Sequence, residues 1–222
     1  MDFSVNVVMP SEFNPAEAPL KKGAIILCGG RSSRMGHDKA TLPFGPELML
    51  QRVIRLVSQV VDSAAIVVVA ATKQTLPPIP GNIQVTRDGR PDRGPLEGLA
   101  AGLRAMPHGV EAVYATSCDV PLIVPEFITA MFSYLDRYDI SVPVDGQFQH
   151  PLAAVYRTSV LSFVNSLLDA DRLRPRFLFD LVRTAEIPVE SLRVFDPDLD
   201  TLMNLNNPSD YVSAMHKAGY SG

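Results

Sequence analysis

Ala24-Ile-Ile-Leu-Cys-Gly-Gly-Arg-Ser-Ser-Arg-Met-Gly-His-Asp-Lys39 changes character after its fifth residue. Ala24-Ile-Ile-Leu-Cys28 is a short apolar run of the kind that fills a strand buried on both faces of a parallel sheet. Gly29 and Gly30 follow, and without a Cβ their backbone N–H groups can come close to a ligand. Arg31, Arg34 and Lys39 add three positive charges where the chain leaves the carboxyl end of that strand. Open α/β sheets hold their ligands at this edge. Backbone donors and guanidinium or ammonium groups together suit a polyphosphate. Two familiar glycine motifs are excluded. A P-loop needs Gly directly before Lys and Ser/Thr, but Gly36 precedes His37. The dinucleotide fingerprint G-x-G-x-x-G does not match the adjacent pair Gly29-Gly30.

Outward from this stretch, strand and helix patterns alternate, which predicts an α/β fold: a mainly parallel sheet with helices on both faces. Residues 47–61 place Leu50, Val53, Ile54, Val57 and Val61 at helical spacing. Residues 65–71, 83–86, 112–117 and 140–144 read as strands, and residues 96–106 and 125–138 as helices. Asp145-Gly146 predicts a turn into a hairpin-like strand at 151–156. A helix is expected over 159–170 and a shorter one near 177–182. Short strands are expected at 186–189, 193–195 and 202–205. A last helix should begin at Pro208 with Asn207 as its cap.

The chain has 222 residues, enough for one large α/β domain. Residues 1–22 read as a loosely ordered extension and 23–222 as a single domain. A net charge of −4 gives no general attraction to nucleic acid or a membrane surface, so cations for an anionic substrate must be gathered locally. No apolar run reaches the ~18 residues of a membrane span, and no signal-peptide core is seen. Cys28 and Cys118, the two cysteines, lack metal-ligand spacing, and a reducing cytoplasmic setting is the simplest expectation.

Asp119 follows the apolar strand at the sheet edge expected for Lys39. It is either a hard oxygen ligand for Mg²⁺ beside phosphates or the cap of the next helix. Asp88 and Gly94-Pro-Leu-Glu-Gly98 form either a surface turn at a helix entrance or a loop over a ligand. Arg172, Arg174 and Arg176 are either a solvated run or phosphate contacts. His150 is either structural or part of a substrate site. Asn204 and Asn206 place two amides on one expected strand face. Asp196-Pro-Asp198 imitates a metal-binding D-x-D, but Asp and Pro together more often make a turn.

Leu27-Cys-Gly-Gly-Arg-Ser-Ser-Arg-Met-Gly-His-Asp-Lys39 resembles the signature loop of nucleotidyltransferases. It is most similar to the molybdenum cofactor guanylyltransferases of the MobA-like family, whose pattern reads L-A-G-G-x-x-x-R-M-G-x-D-K. Cys28 stands where that family usually has Ala. Cys118-Asp-Val-Pro121 resembles the family's C-D-x-P, Gly94-Pro-Leu-Glu-Gly98 its G-P-L-x-G, and Asn204-Leu-Asn-Asn-Pro208 its N-x-N-T-P. The resemblance covers about residues 23–218 and departs from the family at Ala70-Ala71-Thr72, where asparagines are common.

The resemblance implies a three-layer αβα, Rossmann-like fold of the nucleotide-diphospho-sugar transferase type. It implies GMP transfer from GTP to the terminal phosphate of molybdopterin, with Mg²⁺ (or Mn²⁺) and release of pyrophosphate. Lys39 and Asp119 would be catalytic, and Asp119 would hold the metal. Leu27, Cys28, Gly29, Gly30 and Arg31 would seat the nucleotide, with Arg34, Asp88, Gly94 and Pro95. His150, the three arginines, Asn204 and Asn206 fall on the acceptor side. Molybdenum-insertion or molybdoenzyme-maturation proteins would be its protein partners. A sister transferase using CTP or another NTP on a different phosphorylated acceptor, or a nucleotide-binding module without catalysis, would share the first loop.

Overall fold

In the computed structural model, which describes residues 19–29, 38–90 and 93–220, the chain begins its first strand, β1, at Lys22–Leu27. The expectations for Gly30, Arg31, Arg34 and most of the N-terminal extension lie outside the described residues. A 3₁₀ turn at Lys39–Thr41 leads into a small hairpin, β2 (Pro43–Phe44) and β3 (Glu47–Leu48), and then helix α1 (Met49–Val57). Next come β4 (Ile66–Ala70), β5 (Gln84–Arg87), α2 (Gly94–Ala105), β6 (Ala112–Ser117) and α3 (Pro125–Ser133). The second half holds β7 (Ile140–Asp145), β8 (Phe148–Gln149), β9 (Ala154–Arg157) and α4 (Leu161–Asp169). It closes with α5 (Arg176–Phe179), β10 (Thr184–Pro188), α6 (Val189–Leu192) and α7 (Pro208–Lys217).

The main sheet runs β10-β7-β9-β6-β1-β4-β5, with β8 paired to β7. β1, β4, β5 and β6 are mutually parallel, as the apolar runs of β1 and β4 require of strands covered on both faces. β9 is antiparallel to both of its neighbours, β6 and β7. Alternating side chains divide the core into two layers. Ala24, Ile26 and Cys28 face a cluster with Leu50 and Val53 of α1 and Phe127 of α3. Ile25 and Leu27 face the other, with Leu96 and Leu99 of α2 and Val164 of α4. The α2 helix lies very close to β1: a Cβ at Gly102 would stand 2.6 Å from Cγ2 of Ile25.

From β1 the chain steps outward to β4 and β5, then crosses back to place β6 on the opposite side of β1. The carboxyl ends of β1 and β6 therefore form a topological switch point, where open α/β sheets leave a crevice.

Several local expectations are corrected. The turn after Asp145 joins β7 to the two-residue β8 rather than to a strand at 151–156, and residues 151–153 are a turn before β9. Residues 47–48 belong to the small hairpin, so the helix starts at Met49. Residues 193–195 form no strand. The Asp196 carboxylate instead accepts the N–H groups of Asp200 (3.0 Å) and Thr201 (2.8 Å), a local alternative to ladder pairing. Residues 202–205 form none either. The strand they approach, β6, already has β1 and β9 on its two edges, leaving only single bonds such as Leu205 N–H to the Asp119 carbonyl at 2.9 Å. Asn207 caps α7 as expected: its Oδ1 accepts Asp210 N–H at 3.0 Å while Asp210 Oδ2 accepts Asn207 N–H at 3.1 Å.

Candidate active site

A cavity of about 530 Å³ opens at the switch point, within the size range of small-molecule sites. Leu27 and Ser117, paired across β1 and β6, form part of its wall, and Gly29 and Asp119 continue it beyond the strand ends. Cys28 and Cys118 alternate to the opposite face and sit in the α1–α3 core. The Cys118 thiol is pushed well up, first by its hydrogen bond with Cys28 and then by burial, so it is a neutral packing group. Cys28 gives its N–H to the Val69 carbonyl at 2.8 Å, so it is not the free backbone donor expected for a nucleotide.

Lys39 and Asp119, 80 residues apart, meet here: Lys39 Nζ lies 2.6 Å from Asp119 Oδ2. Their side chains are only 17% and 14% exposed, so removing either one would strand a partly buried charge. Lys39 is carried by the 3₁₀ turn that Asp38 caps through Ala40 N–H at 3.0 Å. The second carboxylate oxygen of Asp119 accepts from the Ser117 hydroxyl and, at 3.2 Å, from Asn204 Nδ2. These contacts leave Asp119 oriented toward the cavity that Ser117 and Asn204 also line.

The head of α2 continues the lining. Gly94, Pro95 and Gly98 line the cavity, and the helix N-terminus supplies a partial positive charge. Asp88 also lines it, with Oδ1 buried and without a hydrogen-bond partner among the described residues. Burial raises the Asp88 carboxyl above its ordinary range, and the nearby Glu97 raises it further. Glu97, buried within α2, has Arg90 Nε at 3.2 Å and Arg93 Nε at 3.7 Å. Neither approach has hydrogen-bond geometry at Glu97 Oε2, so this is charge attraction without a formed hydrogen bond. Arg93 lines the cavity and reaches on to Asp171 at 3.2 Å and to the Leu168 carbonyl at the end of α4.

The structure thus gathers Leu27, Gly29, Lys39, Asp88, Gly94, Pro95, Asp119 and Asn204. Asn206 is not among the residues lining this cavity, and its N–H goes to Asp210 Oδ2 at 2.8 Å as part of the α7 cap. His150 packs edge-on against Phe148, ring centroids 5.0 Å apart, and burial lowers its pKa against the opposing pull of Asp145. Arg172, Arg174 and Arg176 are exposed, with the first and last lying over the Phe177 ring at 4.2 and 5.2 Å. None of these four lines the cavity.

Sequence reasoning missed Ser117, Arg93 and Gln74. Ser117 was legible as the residue two before Asp119, on the same face of the extended chain. Arg93 was legible as the cation just before Gly94-Pro95. Gln74 carried no signal, because its role depends on three segments that meet only in the fold.

Residues 24–184 match the family model described as a MobA-like NTP transferase domain. A Mycobacterium tuberculosis protein described as a probable molybdenum cofactor guanylyltransferase is 34% identical over 210 residues, 92% of this chain and 98% of that one. A Pelotomaculum thermopropionicum protein of the same description is 32% identical, covering 88% and 92% of the two chains. The crystal structure of molybdopterin-guanine dinucleotide biosynthesis protein A from Archaeoglobus fulgidus superposes with a TM-score of 0.72 at 20% identity, covering 89% and 98%. A Thermus thermophilus 2-C-methyl-D-erythritol 4-phosphate cytidylyltransferase shares the fold with a TM-score of 0.65 at 14% identity, covering 89% and 99%. Because that family model spans well over half of the 222 residues, the chain belongs to the MobA-like NTP transferase family.

Proposed function

We propose that this chain transfers GMP from GTP to the terminal phosphate of molybdopterin, releasing pyrophosphate, in molybdenum cofactor biosynthesis. The observation that carries the reading is the contact of Lys39 with Asp119 on the rim of the switch-point cavity. A pterin phosphate oxygen attacks the α-phosphorus of GTP, forming one P–O bond. The bond from that phosphorus to the bridging oxygen breaks, and pyrophosphate leaves with its electrons. The acceptor brings its own nucleophile, so the protein's work is positioning and charge stabilisation.

Lys39 neutralises charge on the departing pyrophosphate. The head of α2, with Gly94 and Pro95, lies against the nucleotide. Asp88 Oδ1, buried and unpaired among the described residues, offers an acceptor to an N–H of guanine or a ribose hydroxyl. Asp119 is the carboxylate suited to hold Mg²⁺. No cluster of three His, Cys, Asp or Glu side chains fit to hold a metal occurs among the described residues. A single carboxylate still fits this ion, which binds through one or two carboxylates plus substrate phosphates and keeps several waters. When bound there, Mg²⁺ would offset negative charge on the phosphates. Ser117 and Asn204 keep the Asp119 carboxylate in place. The exposed arginines at 172, 174 and 176 are the cations available to an anionic acceptor outside the cavity, beside the Asp171 that Arg93 holds.

Pyrophosphate release from GTP, measured with purified molybdopterin and Mg²⁺, tests the reading. Product should form only when all three are present. Thermal-shift titration with GTP, CTP, UTP and ATP tests the base, since a nucleotide bound to the folded state raises apparent stability. Stabilisation by CTP but not GTP would overturn the guanine assignment.

A further inference from the structure

We infer that Gln74 is a positioning residue for the transferase, a clasp that sets where Lys39 stands. Its side chain joins three segments at the rear of the site. Oε1 accepts the N–H of Ala71 at 3.0 Å, while Nε2 donates to the Cys28 carbonyl at 3.0 Å and to Asp38 Oδ1 at 2.9 Å. Partner chemistry fixes the orientation of the amide, because Ala71 offers a donor there and the other two offer acceptors. Gln74 is held in turn: its N–H goes to the Ala71 carbonyl at 3.0 Å, and its carbonyl accepts from Arg87 Nη1 at 3.1 Å.

The consequence runs through Asp38. The same Oδ1 that receives Gln74 Nε2 also receives Ala40 N–H, so one oxygen both caps the Lys39–Thr41 turn and ties it to the ends of β1 and β4. The two amide protons of Gln74 fasten the chain just after β1, at Cys28, and beside Lys39, at Asp38. Lys39 otherwise has only the long, flexible stem of a lysine to determine its approach to Asp119. A carboxamide is the side chain this junction needs, since a carboxylate would set acceptor against acceptor and an ammonium would leave Ala71 N–H unpaired.

The inference rests on the nucleotidyltransferase reading, and its test separates the two with a readout independent of turnover. Amide hydrogen exchange at Ala40 should be faster in Gln74→Glu and Gln74→Ala than in wild type, and unchanged in the exposed neighbour variant Lys73→Ala. In the same proteins, kcat at pH 8 should fall about tenfold or more in Gln74→Glu, with acceptor KM within about twofold, the scale of losing a hydrogen bond to a charged group.

Gln74→Glu also carries a pH signature. The residue 74 side chain faces Asp38 on the Lys39 turn, and Arg87 from β5 reaches its backbone carbonyl. Two carboxylates facing each other share a proton more readily than one alone, and that proton restores one hydrogen bond. Activity relative to wild type should therefore recover as pH falls toward 5. Wild-type exchange at Ala40 in both Gln74 variants would overturn the clasp. Faster exchange with unchanged kcat would overturn its role in positioning Lys39. A wild-type protein that releases no pyrophosphate from any nucleotide would overturn the transferase reading, and with it the positioning role.

Discussion

The two walls of the cavity are built differently. One wall consists of the ends of β1 and β4 and the head of α2, all from parallel strands and their crossovers. Its residues Leu27, Gly29, Gly94 and Pro95 fall within short contiguous motifs. The other wall is assembled by return visits of the chain: Asn204 comes to Asp119 across 85 residues, and Leu152 enters from the turn before β9. A motif can be read in sequence because its geometry is local. A wall made by return visits exists only once the sheet has formed. We propose that the first wall serves the nucleotide and the second lies nearer the acceptor, and the following variants test that division.

The largest effect is expected at the seam. Lys39→Ala and Asp119→Asn should each lower turnover by about 10²-fold or more, measured as pyrophosphate release at saturating GTP. Near-normal turnover in either would break the assignment of both walls. On the return wall, Asn204→Ala removes one hydrogen bond to a charged group, a contact of about 1.5–3 kcal/mol, so kcat should drop roughly tenfold. GTP affinity, followed by thermal shift, should change little, and a large loss of GTP affinity would move Asn204 to the nucleotide wall.

Gly102→Ala probes the packing under the first wall. Its added methyl meets Ile25 at 2.6 Å, an overpacking that costs about 1–3 kcal/mol by urea denaturation. Displacement of α2 should also weaken GTP binding while leaving acceptor KM alone.

The smallest effect should come from Asp88→Asn in the absence of nucleotide. Burial and Glu97 raise the folded-state pKa of Asp88. Its contribution to stability is therefore full below the ordinary carboxylate range and is lost as pH rises through the raised value. The Asn variant should melt slightly higher than wild type at pH 7 and equally at pH 3. It should also bind GTP more weakly, which would place Asp88 among binding groups kept at some cost to the fold.

Much of the architecture was legible because β1, β4 and β6 are apolar runs followed by turn-forming residues, and buried parallel strands need little else. Asp119 and Lys39 were legible as residues just beyond strand ends or loops. The strands expected at 193–195 and 202–205 failed for two different reasons: Asp196 offered local hydrogen bonds, and β6 had no edge left to pair. Asn206 stands outside the cavity lining, with its N–H engaged in the α7 cap, a placement set by the fold. Gln74 was out of reach, since an amide in a polar loop looks the same whether it faces water or joins three segments. His150 and the arginines at 172, 174 and 176 are not among the residues lining the cavity, which only the fold shows.

One contact ties the far end of the chain to the catalytic rim. Gly45, at the tip of the β2–β3 hairpin, has φ +63, and a Cβ there would fall 2.3 Å from the Tyr220 ring. The ring packs edge-on against Phe44, and Arg52, lying over both rings, passes a hydrogen bond to the Pro121 carbonyl, two residues beyond Asp119. Loss of the Tyr220 ring would thus be felt about 175 residues earlier in sequence, in the hairpin that joins the Lys39 turn to α1 and in the arginine that holds the Pro121 carbonyl.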